Sequence, residues 1–477
     1  MLWLCLNFPE LPLEIFQRGS SSREPLAIGG TGNPPRIIAC NSAASSCGVK
    51  QGITVSAAYA LTGNLTVLAR DENREAAALE KIAMWAGQFT PTISIARPSA
   101  LLLEIQGSLK LFGGFENLLS KVKTGIEELG YSSDLASAPT PAGALLLARS
   151  GLELYAADHE TLKNHLLRLS IEVLDYEETA IESLGRMGIY TLGDCLRLPR
   201  DGLARRFGQG LLDEIDRALG GLPDPRESFA APEKFSSTLE LPYPVPDVEP
   251  LLFGVKRVIC ELGGFLASRN AGVMKLAVQL KHEDHPVTKI SLGLSMPSRD
   301  TQHLLALLRE RFSSVSLADR VVSLTLTAEE TAQLAPRNFS LFGDKQGTKE
   351  NRLALVERLR ARLGENAVSG LQLYPDHRPE LAWRESEPGT EAIAIETLVR
   401  PVWLLHKPRQ LAVDGGSPVL NGPLTLLSGP ERIESGWWDG FDIARDYFIA
   451  ASGEGAKYWI YRERQGDPSW YLHGIFS

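Results

Sequence analysis

Few of the residues able to do chemistry are spaced to do it. The 477-residue chain has no G-x-S-x-G nucleophile turn, no G-x-x-x-x-G-K-[ST] phosphate loop and no H-E-x-x-H zinc helix. Gly29-Gly30 and Gly113-Gly114 are turn glycines outside any strand-loop-helix phosphate context. His282 and His285 form a close pair in His282-Glu283-Asp284-His285-Pro286. No third ligand of the usual type stands nearby, so a polar hairpin tip is expected there and not a metal site. Carboxylate chemistry remains: two-metal phosphoryl or nucleotidyl transfer needs acids that hold two Mg²⁺ about 4 Å apart. The elements that would have to position such acids are two apolar runs. Leu2-Trp3-Leu4-Cys5-Leu6-Asn7-Phe8 is closed by Pro9, and Ala100-Leu101-Leu102-Leu103-Glu104-Ile105 by Gln106-Gly107-Ser108; length and flanks make both core strands. Glu104 is four residues beyond Ala100, ~13 Å at ~3.3 Å per residue, against a Mg–O bond of ~2.1 Å. Glu10, past the first strand, is one acid alone. No metal and no cofactor is expected.

The two strands and the stretch between them resemble the Y-family translesion DNA polymerases. That family carries a palm strand of the pattern S-[IL]-D-E-[AG]-Y-L-D-[IV]-T and a first strand like H-V-D-M-D-C-F-F. Setting Leu103-Glu104-Ile105-Gln106 on the L-D-[IV]-T end puts Ser99 and Ala100 at the metal-holding Asp-Glu pair, and Asn7 at the first metal-binding Asp. Arg36 to Ile53 follows the fingers pattern A-x-N-Y-x-A-R-x-x-G-V-x-x-x-M, with Ser42 and Ser45 where a Tyr and an Arg grip the incoming triphosphate. The words Gly429-Pro430-Glu431-Arg432-Ile433-Glu434-Ser435-Gly436-Trp437-Trp438-Asp439-Gly440, then Arg445-Asp446-Tyr447, and the ending Trp470-Tyr471-Leu472-His473-Gly474-Ile475-Phe476 are similar to the catalytically silenced ImuB branch of the family. The resemblance runs over essentially the whole chain.

With 44% hydrophobic and 22% charged residues, the composition is that of a soluble multi-domain protein. The first apolar run has no basic flank and is broken by Pro9 and Pro12, so it reads as a strand and not a signal peptide. No stretch approaches the ~20 apolar residues of a membrane span. Five scattered cysteines without C-x-x-C spacing fit neither a disulfide framework nor a zinc site and imply a cytoplasmic setting. A net charge of −9 argues against tight nucleic-acid binding by the whole surface. Local patches stay open: Arg197, Arg200, Arg205 and Arg206 in one cluster, and Lys256, Arg257, Lys275 and Lys281 in a later domain, are either solvated faces or weak DNA contacts.

The expected fold is α+β and multi-domain. Residues 1–165 form a Y-family-like palm with a fingers insertion at about 31–67; Asp71 to Phe89 holds a helix stopped by Thr90-Pro91. Residues 166–230 form a helical thumb, in which Thr179 to Ile189 resembles half of a helix-hairpin-helix with its hairpin at Asp175, Tyr176 and Glu177. Two acids there would repel a phosphate, so this copy reads as structural. Residues 231–330 follow the βαββαβ order of a little finger. A linker at 331–348 carries Asn338-Phe339-Ser340-Leu341-Phe342, which resembles the sliding-clamp peptide Q-L-[SD]-L-F, with Asn338 one methylene short of the usual Gln. Residues 349–477 begin with an amphipathic helix, its stripe Leu355, Leu359 and Leu363. Six of the eight tryptophans follow (Trp383, Trp403, Trp437, Trp438, Trp459, Trp470), which predicts an aromatic-rich, mainly β interaction module with these rings mostly in its core.

The resemblance implies a non-enzymatic adaptor in error-prone translesion synthesis during the SOS response to DNA damage. It would join the sliding clamp, an error-prone replicative-type DNA polymerase and a RecA-like accessory protein, with weak, non-specific DNA contact. Two other readings stay open: an active polymerase using displaced carboxylates, and a DNA-binding module that works without partners.

Overall fold

Strand β1 (Trp3–Asn7) is buried along its whole length, as a run with no polar face requires. The computed structural model describes residues 1–18, 24–334, 345–390 and 399–476, and the chain divides into two units, 1–341 and 342–477.

In the first unit, α1 (Leu11–Gln17) has Pro12 in its first turn, where the missing N–H costs nothing. Next come β2 (Leu26–Gly29), β3 (Ile37–Cys40), α2 (Ser42–Ser46), α3 (Val55–Leu61) and β4 (Thr66–Ala69). Strands β3-β2-β4 make a small sheet over a core of its own, built from Ala27, Ile37, Ala44, Val49, Ala58 and Leu65. This fingers sheet begins at Leu26, ahead of residue 31. Helix α4 (Glu72–Ala86) is capped by Asp71, which accepts from Arg74 N–H at 3.0 Å. Then follow β5 (Ile93–Ala96), β6 (Ala100–Glu104), α5 (Phe115–Leu129), β7 (Asp134–Ala138) and α6 (Pro141–Arg149). The palm sheet has the order β5-β6-β1-β7, antiparallel throughout. Because side chains alternate across a strand, Leu4, Leu6, Leu101, Leu103 and Leu135 face one core with residues of α4 and α5. Cys5, Ala100, Leu102 and Ala136 face the other with α6.

That second core continues into the thumb: α7 (His159–Leu166), α8 (Glu178–Arg186), α9 (Leu192–Arg197), α10 (Arg200–Phe207) and α11 (Gln209–Leu219). The segment 175–177, where the resemblance puts the hairpin, leads into α8: Asp175 pairs with Arg149 at 3.2 Å and the Tyr176 hydroxyl donates to the Phe207 carbonyl. A glycine turn follows between α8 and α9 at Gly188, with φ 81°.

The little finger is β8 (Ser236–Val245), α12 (Val248–Ser268), β9 (Ala271–His282), β10 (Thr288–Ser298), α13 (Thr301–Ser313) and β11 (Val321–Gln333), the expected βαββαβ, with sheet order β10-β9-β11-β8. Its long helix α12 packs on α4 and α5 of the palm. Trp85 of α4 sits between two glycines: a Cβ on Gly125 would fall 2.2 Å from the indole, and one on Gly264 2.5 Å. Any larger residue at either position would displace the ring.

The second unit holds α14 (Lys345–Leu363), the pair β12 (Gly370–Leu373) and β13 (Trp383–Ser386), and then β14 (Trp403–Asp414), β15 (Ser417–Val419), β16 (Thr425–Ser435), β17 (Ile443–Ala451), β18 (Lys457–Glu463) and β19 (Trp470–Ile475). The last six form one sheet, β15-β14-β19-β18-β17-β16, apolar on both faces. Leu411, Ala450, Ile460, Trp470 and Leu472 cluster in one core, and Ile433, Tyr447, Trp459 and Tyr461 in the other. Trp459 and Trp470 are core residues as expected, while Trp383, Trp403, Trp437 and Trp438 are exposed. Helix α14 is also rotated from expectation. It buries Leu353, Glu357 and Ala361 and leaves Leu355, Leu359 and Leu363 outside.

Candidate functional site

The register across β6-β1-β7 sets Asn7 opposite Ala100 on one side and Asp134 on the other. Directly paired residues share a face of the sheet, so these three sit together at one end of the palm, on the face of Cys5 and Ala136. Ser99 joins them from the turn before β6, its Oγ donating to Asn7 Oδ1 at 3.2 Å. The same turn is fixed by Phe8 N–H donating to the Ser99 carbonyl at 2.8 Å. The three positions read from the sequence are therefore brought together in space.

Asp134 was not singled out in the sequence, and the fold adds it. Burial pushes its carboxyl above the usual carboxylate range; a hydrogen bond from Asn7 opposes that, and the nearby charge of Glu153 adds to it. Glu153 is itself held by Lys123 Nζ at 2.7 Å. Glu104 is at the other end of the strand, opposite Trp3, where its Oε1 accepts from Leu2 and Gln106 N–H. Glu10 immediately precedes α1.

A pair of divalent cations, which the polymerase fold implies, does not fit this donor set. Ala100 has no donor atom and is 1% exposed. Asn7 offers a neutral oxygen already bonded to Ser99, and Asp134 is a lone carboxylate desolvated beside it. Two Mg²⁺ need several formal negative charges at about 2.1 Å. No step is derived through them.

In the fingers, Asn41 caps α2: its Oδ1 accepts from Ala44 N–H at 2.9 Å and Leu26 N–H at 3.1 Å, and its Nδ2 donates to the Glu24 carbonyl at 2.7 Å. This cap holds Ser42 and Ser45 on the first turn of an exposed helix. Two neutral hydroxyls there supply neither the charge nor the reach of a Tyr and an Arg for a triphosphate.

The four little-finger cations do not form one patch. Lys275 and Lys281 are on the exposed face of β9, joined by Lys289 of β10, which the sequence reading omitted. Glu329 bridges Lys289 and Lys275 at 2.6 and 3.4 Å. Lys256 and Arg257 lie on α12, on the opposite side of the domain. Arg257 is spent within the protein, donating to the Arg18 carbonyl and stacking on Phe253 at 4.2 Å. Burial lowers it to about 10, still cationic at neutral pH. In the thumb, Arg197 pairs with Asp194 at 3.4 Å, Arg200 with Asp216, and Arg206 donates to Ser183 Oγ at 3.5 Å. At the 282–286 tip, both ring nitrogens of buried His282 are engaged, Nδ1 with the Asp319 carbonyl and Nε2 with Thr288 Oγ1, each at 2.8 Å. Asn338, Phe339, Ser340, Leu341 and Phe342 lie outside the described residues. Among the described residues, no helix is long and apolar enough to cross a membrane.

Residues 17–149, from the end of α1 to the end of α6, match the model of the impB/mucB/samB family. Protein ImuB of Caulobacter vibrioides strain NA1000 / CB15N is 26% identical over 458 residues, covering 90% of this chain and all of that protein. The same protein of strain ATCC 19089 / CIP 103742 / CB 15 gives the same values. The chain is similar to the impB/mucB/samB family over its palm and to ImuB over most of its length. At 90% of the chain, the likeness to ImuB reaches into the second unit, which the family model does not cover. Among solved structures, a Dbh ternary complex is 20% identical, covering 70% of this chain and all of the other at a TM-score of 0.39. DinB from Sulfolobus solfataricus is 20% identical, covering 69% and 98% at a TM-score of 0.38.

Proposed function

We propose that the chain is a non-catalytic Y-family homologue that acts in the cytoplasm as an adaptor in error-prone translesion synthesis. It joins the sliding clamp to an error-prone replicative-type DNA polymerase and a RecA-like accessory protein during the SOS response. One observation carries this reading: the palm end where a polymerase would hold its metals offers Asn7, Ser99, Ala100 and a single desolvated acid, Asp134. Without two metal ions, nucleotidyl transfer loses the stabilisation of both attacking and leaving oxygens. The likeness to ImuB over 90% of the chain supports the same reading.

Asp134 gives a specific reason to keep the second reading, a polymerase with displaced carboxylates, since it is an acid on the right face of the sheet. The decisive experiment is primer extension by the purified chain with Mg²⁺ or Mn²⁺, alongside pull-down with the clamp and the two partners. No extension together with capture of the partners is expected. Template-directed incorporation that survives removal of contaminating polymerases and disappears in Asp134→Asn would establish the second reading. Restoring acids at positions 7, 99 and 100 is expected to leave the chain inactive, because Ser42 and Ser45 still cannot grip a triphosphate.

A further inference from the structure

The turn between β16 and β17 breaks the usual composition of turns, which favours small and polar residues. It carries Trp437 at 81% exposure, Trp438 at 59% and Phe441 at 77%. The turn that carries the rings is tied down. Arg378, itself buried, reaches under the turn from a separate segment. Its guanidinium donates to Asp439 Oδ1 at 3.0 Å and the Phe441 carbonyl at 3.2 Å, and it meets Asp439 Oδ2 at 2.7 Å. On its other edge Asp376 accepts at 3.0 and 2.8 Å. The Arg378 guanidinium carbon is 5.7 Å from the Trp438 ring centre, and Trp437 packs edge-on against Trp438 with centroids 5.5 Å apart. Gly436, at φ 92°, leaves the room for this: a Cβ there would sit 2.4 Å from the Phe441 carbonyl oxygen and 2.8 Å from Arg378 Nη1. Exposed aromatic anchors carried on a turn already fixed in place lose less conformational entropy on binding, which is the property of a preorganised docking surface.

Charge selects the kind of partner. Asp439 and Asp442 flank the rings and are exposed. Arg378 is fully engaged by two carboxylates and a carbonyl, and three of the cations near the turn are paired: Arg432 with Asp446, Arg445 with Glu380 and Arg464 with Glu434. A platform that stacks single-stranded nucleic acid needs a cationic groove to follow the phosphates, and this tip presents acids instead.

We propose that residues 436–441 are the docking site for a protein partner whose surface offers an apolar socket edged by Lys or Arg. This rests on the adaptor reading and assigns one of its protein contacts to this tip. The test uses the full chain and three purified probes: the error-prone polymerase, the RecA-like accessory protein and the sliding clamp, with a single-stranded oligonucleotide as a fourth. The wild type is expected to bind one of the first two, and Trp437→Ala/Trp438→Ala/Phe441→Ala to weaken that binding about a hundredfold or more. Asp442→Lys, which leaves the rings in place, should weaken it about tenfold, with clamp binding unchanged in both variants. If the wild type binds neither partner, the adaptor reading falls and this inference with it. If the wild type binds and both variants bind equally well, this inference alone falls. Oligonucleotide binding that the triple variant abolishes would also overturn it.

Discussion

Arg18, at the end of α1 in the palm, and Glu261, in the middle of α12 in the little finger, form a 2.6 Å ion pair with both side chains almost wholly buried. Each guanidinium nitrogen and each carboxylate oxygen of this pair has a partner. Arg18 also donates to the Leu129 carbonyl and the Tyr131 hydroxyl, each at 2.7 Å, and Ser237 Oγ donates to the second oxygen of Glu261 at 2.5 Å. The pair joins residues 243 apart in sequence, and with Trp85 between Gly125 and Gly264 it fixes the little finger against the palm helices.

Breaking a buried pair leaves one charge uncompensated, which costs about 3–5 kcal/mol, whereas replacing both partners with apolar residues is close to neutral. Glu261→Leu should therefore lower the urea midpoint of the unfolding transition that reports on residues 1–334, and Arg18→Met/Glu261→Leu should recover most of the loss. Equal destabilisation by the single and double variants would show that the apolar packing, and not the ion pair, holds the two domains together.

The sheet of the little finger is the surface on which weak DNA contact is expected. Lys281 and Lys289 are exposed there, whereas Arg257 serves the palm interface. Each phosphate contact contributes about 0.9 to the slope of log K against log salt. Lys281→Gln and Lys289→Gln should each reduce the slope by about 1, uniformly across sequences. Arg257→Gln should leave the slope unchanged and lower the melting temperature. A slope near zero in the wild type would remove DNA from the list of partners.

Most of the palm and little finger could be read from the sequence because their signals are local. β1 and β6 are largely apolar runs, α4 has helical spacing with an acid cap, and the hairpin of β9 and β10 alternates over 275–280 and 288–294 except at Ala277. Asp134 could not be read that way. An acid opening an apolar run looks like a strand edge, and only the three-strand register puts it beside Asn7. Arg257 failed for a related reason, since charge in a sequence does not show whether solvent or another domain receives it. In α14 the periodicity was present on two stripes, one of three leucines and one of Leu353, Glu357 and Ala361. The fold buried the second, a choice made by neighbours distant in sequence.

His473 gives the C-terminal unit a defined pH response. Its ring is fully buried, stacked on Trp459 with centroids 5.8 Å apart, and its Nδ1 lies 2.8 Å from the Tyr447 hydroxyl. Arg445 donates to that hydroxyl at 3.2 Å, and Nε2 faces Glu380 Oε1 at 3.5 Å. Burial lowers the imidazole from 6.5 to about 4, against the pull of Glu380. Below pH 6.5 the unfolded chain binds a proton that the folded one refuses, so stability falls as pH drops from about 6.5 to about 4 and levels off beneath. The loss is on the order of 2 kcal/mol after allowance for solvent screening. Thermal melts followed by tryptophan fluorescence at pH 7.5 and 4.5 should show it, and His473→Gln should flatten the difference. An unchanged difference in that variant would assign the acid sensitivity to carboxylates.

The clamp contact rests on five residues, Asn338 to Phe342. In the proposed mode Leu341 and Phe342 enter an apolar pocket of the clamp while Asn338 hydrogen-bonds at its rim. Burying a Leu or Phe side chain contributes ~1.5–3 kcal/mol, so Leu341→Ala/Phe342→Ala should weaken clamp binding about a hundredfold or more. Asn338→Gln adds the methylene that separates this segment from the usual motif and should tighten binding modestly, the opposite direction from the same stretch. Equilibrium binding of the full chain to the purified clamp measures both. The two variants together separate docking from a general loss of fold, since unfolding cannot account for an affinity gain. If Leu341→Ala/Phe342→Ala binds like the wild type, the clamp is held elsewhere and this segment is only a linker.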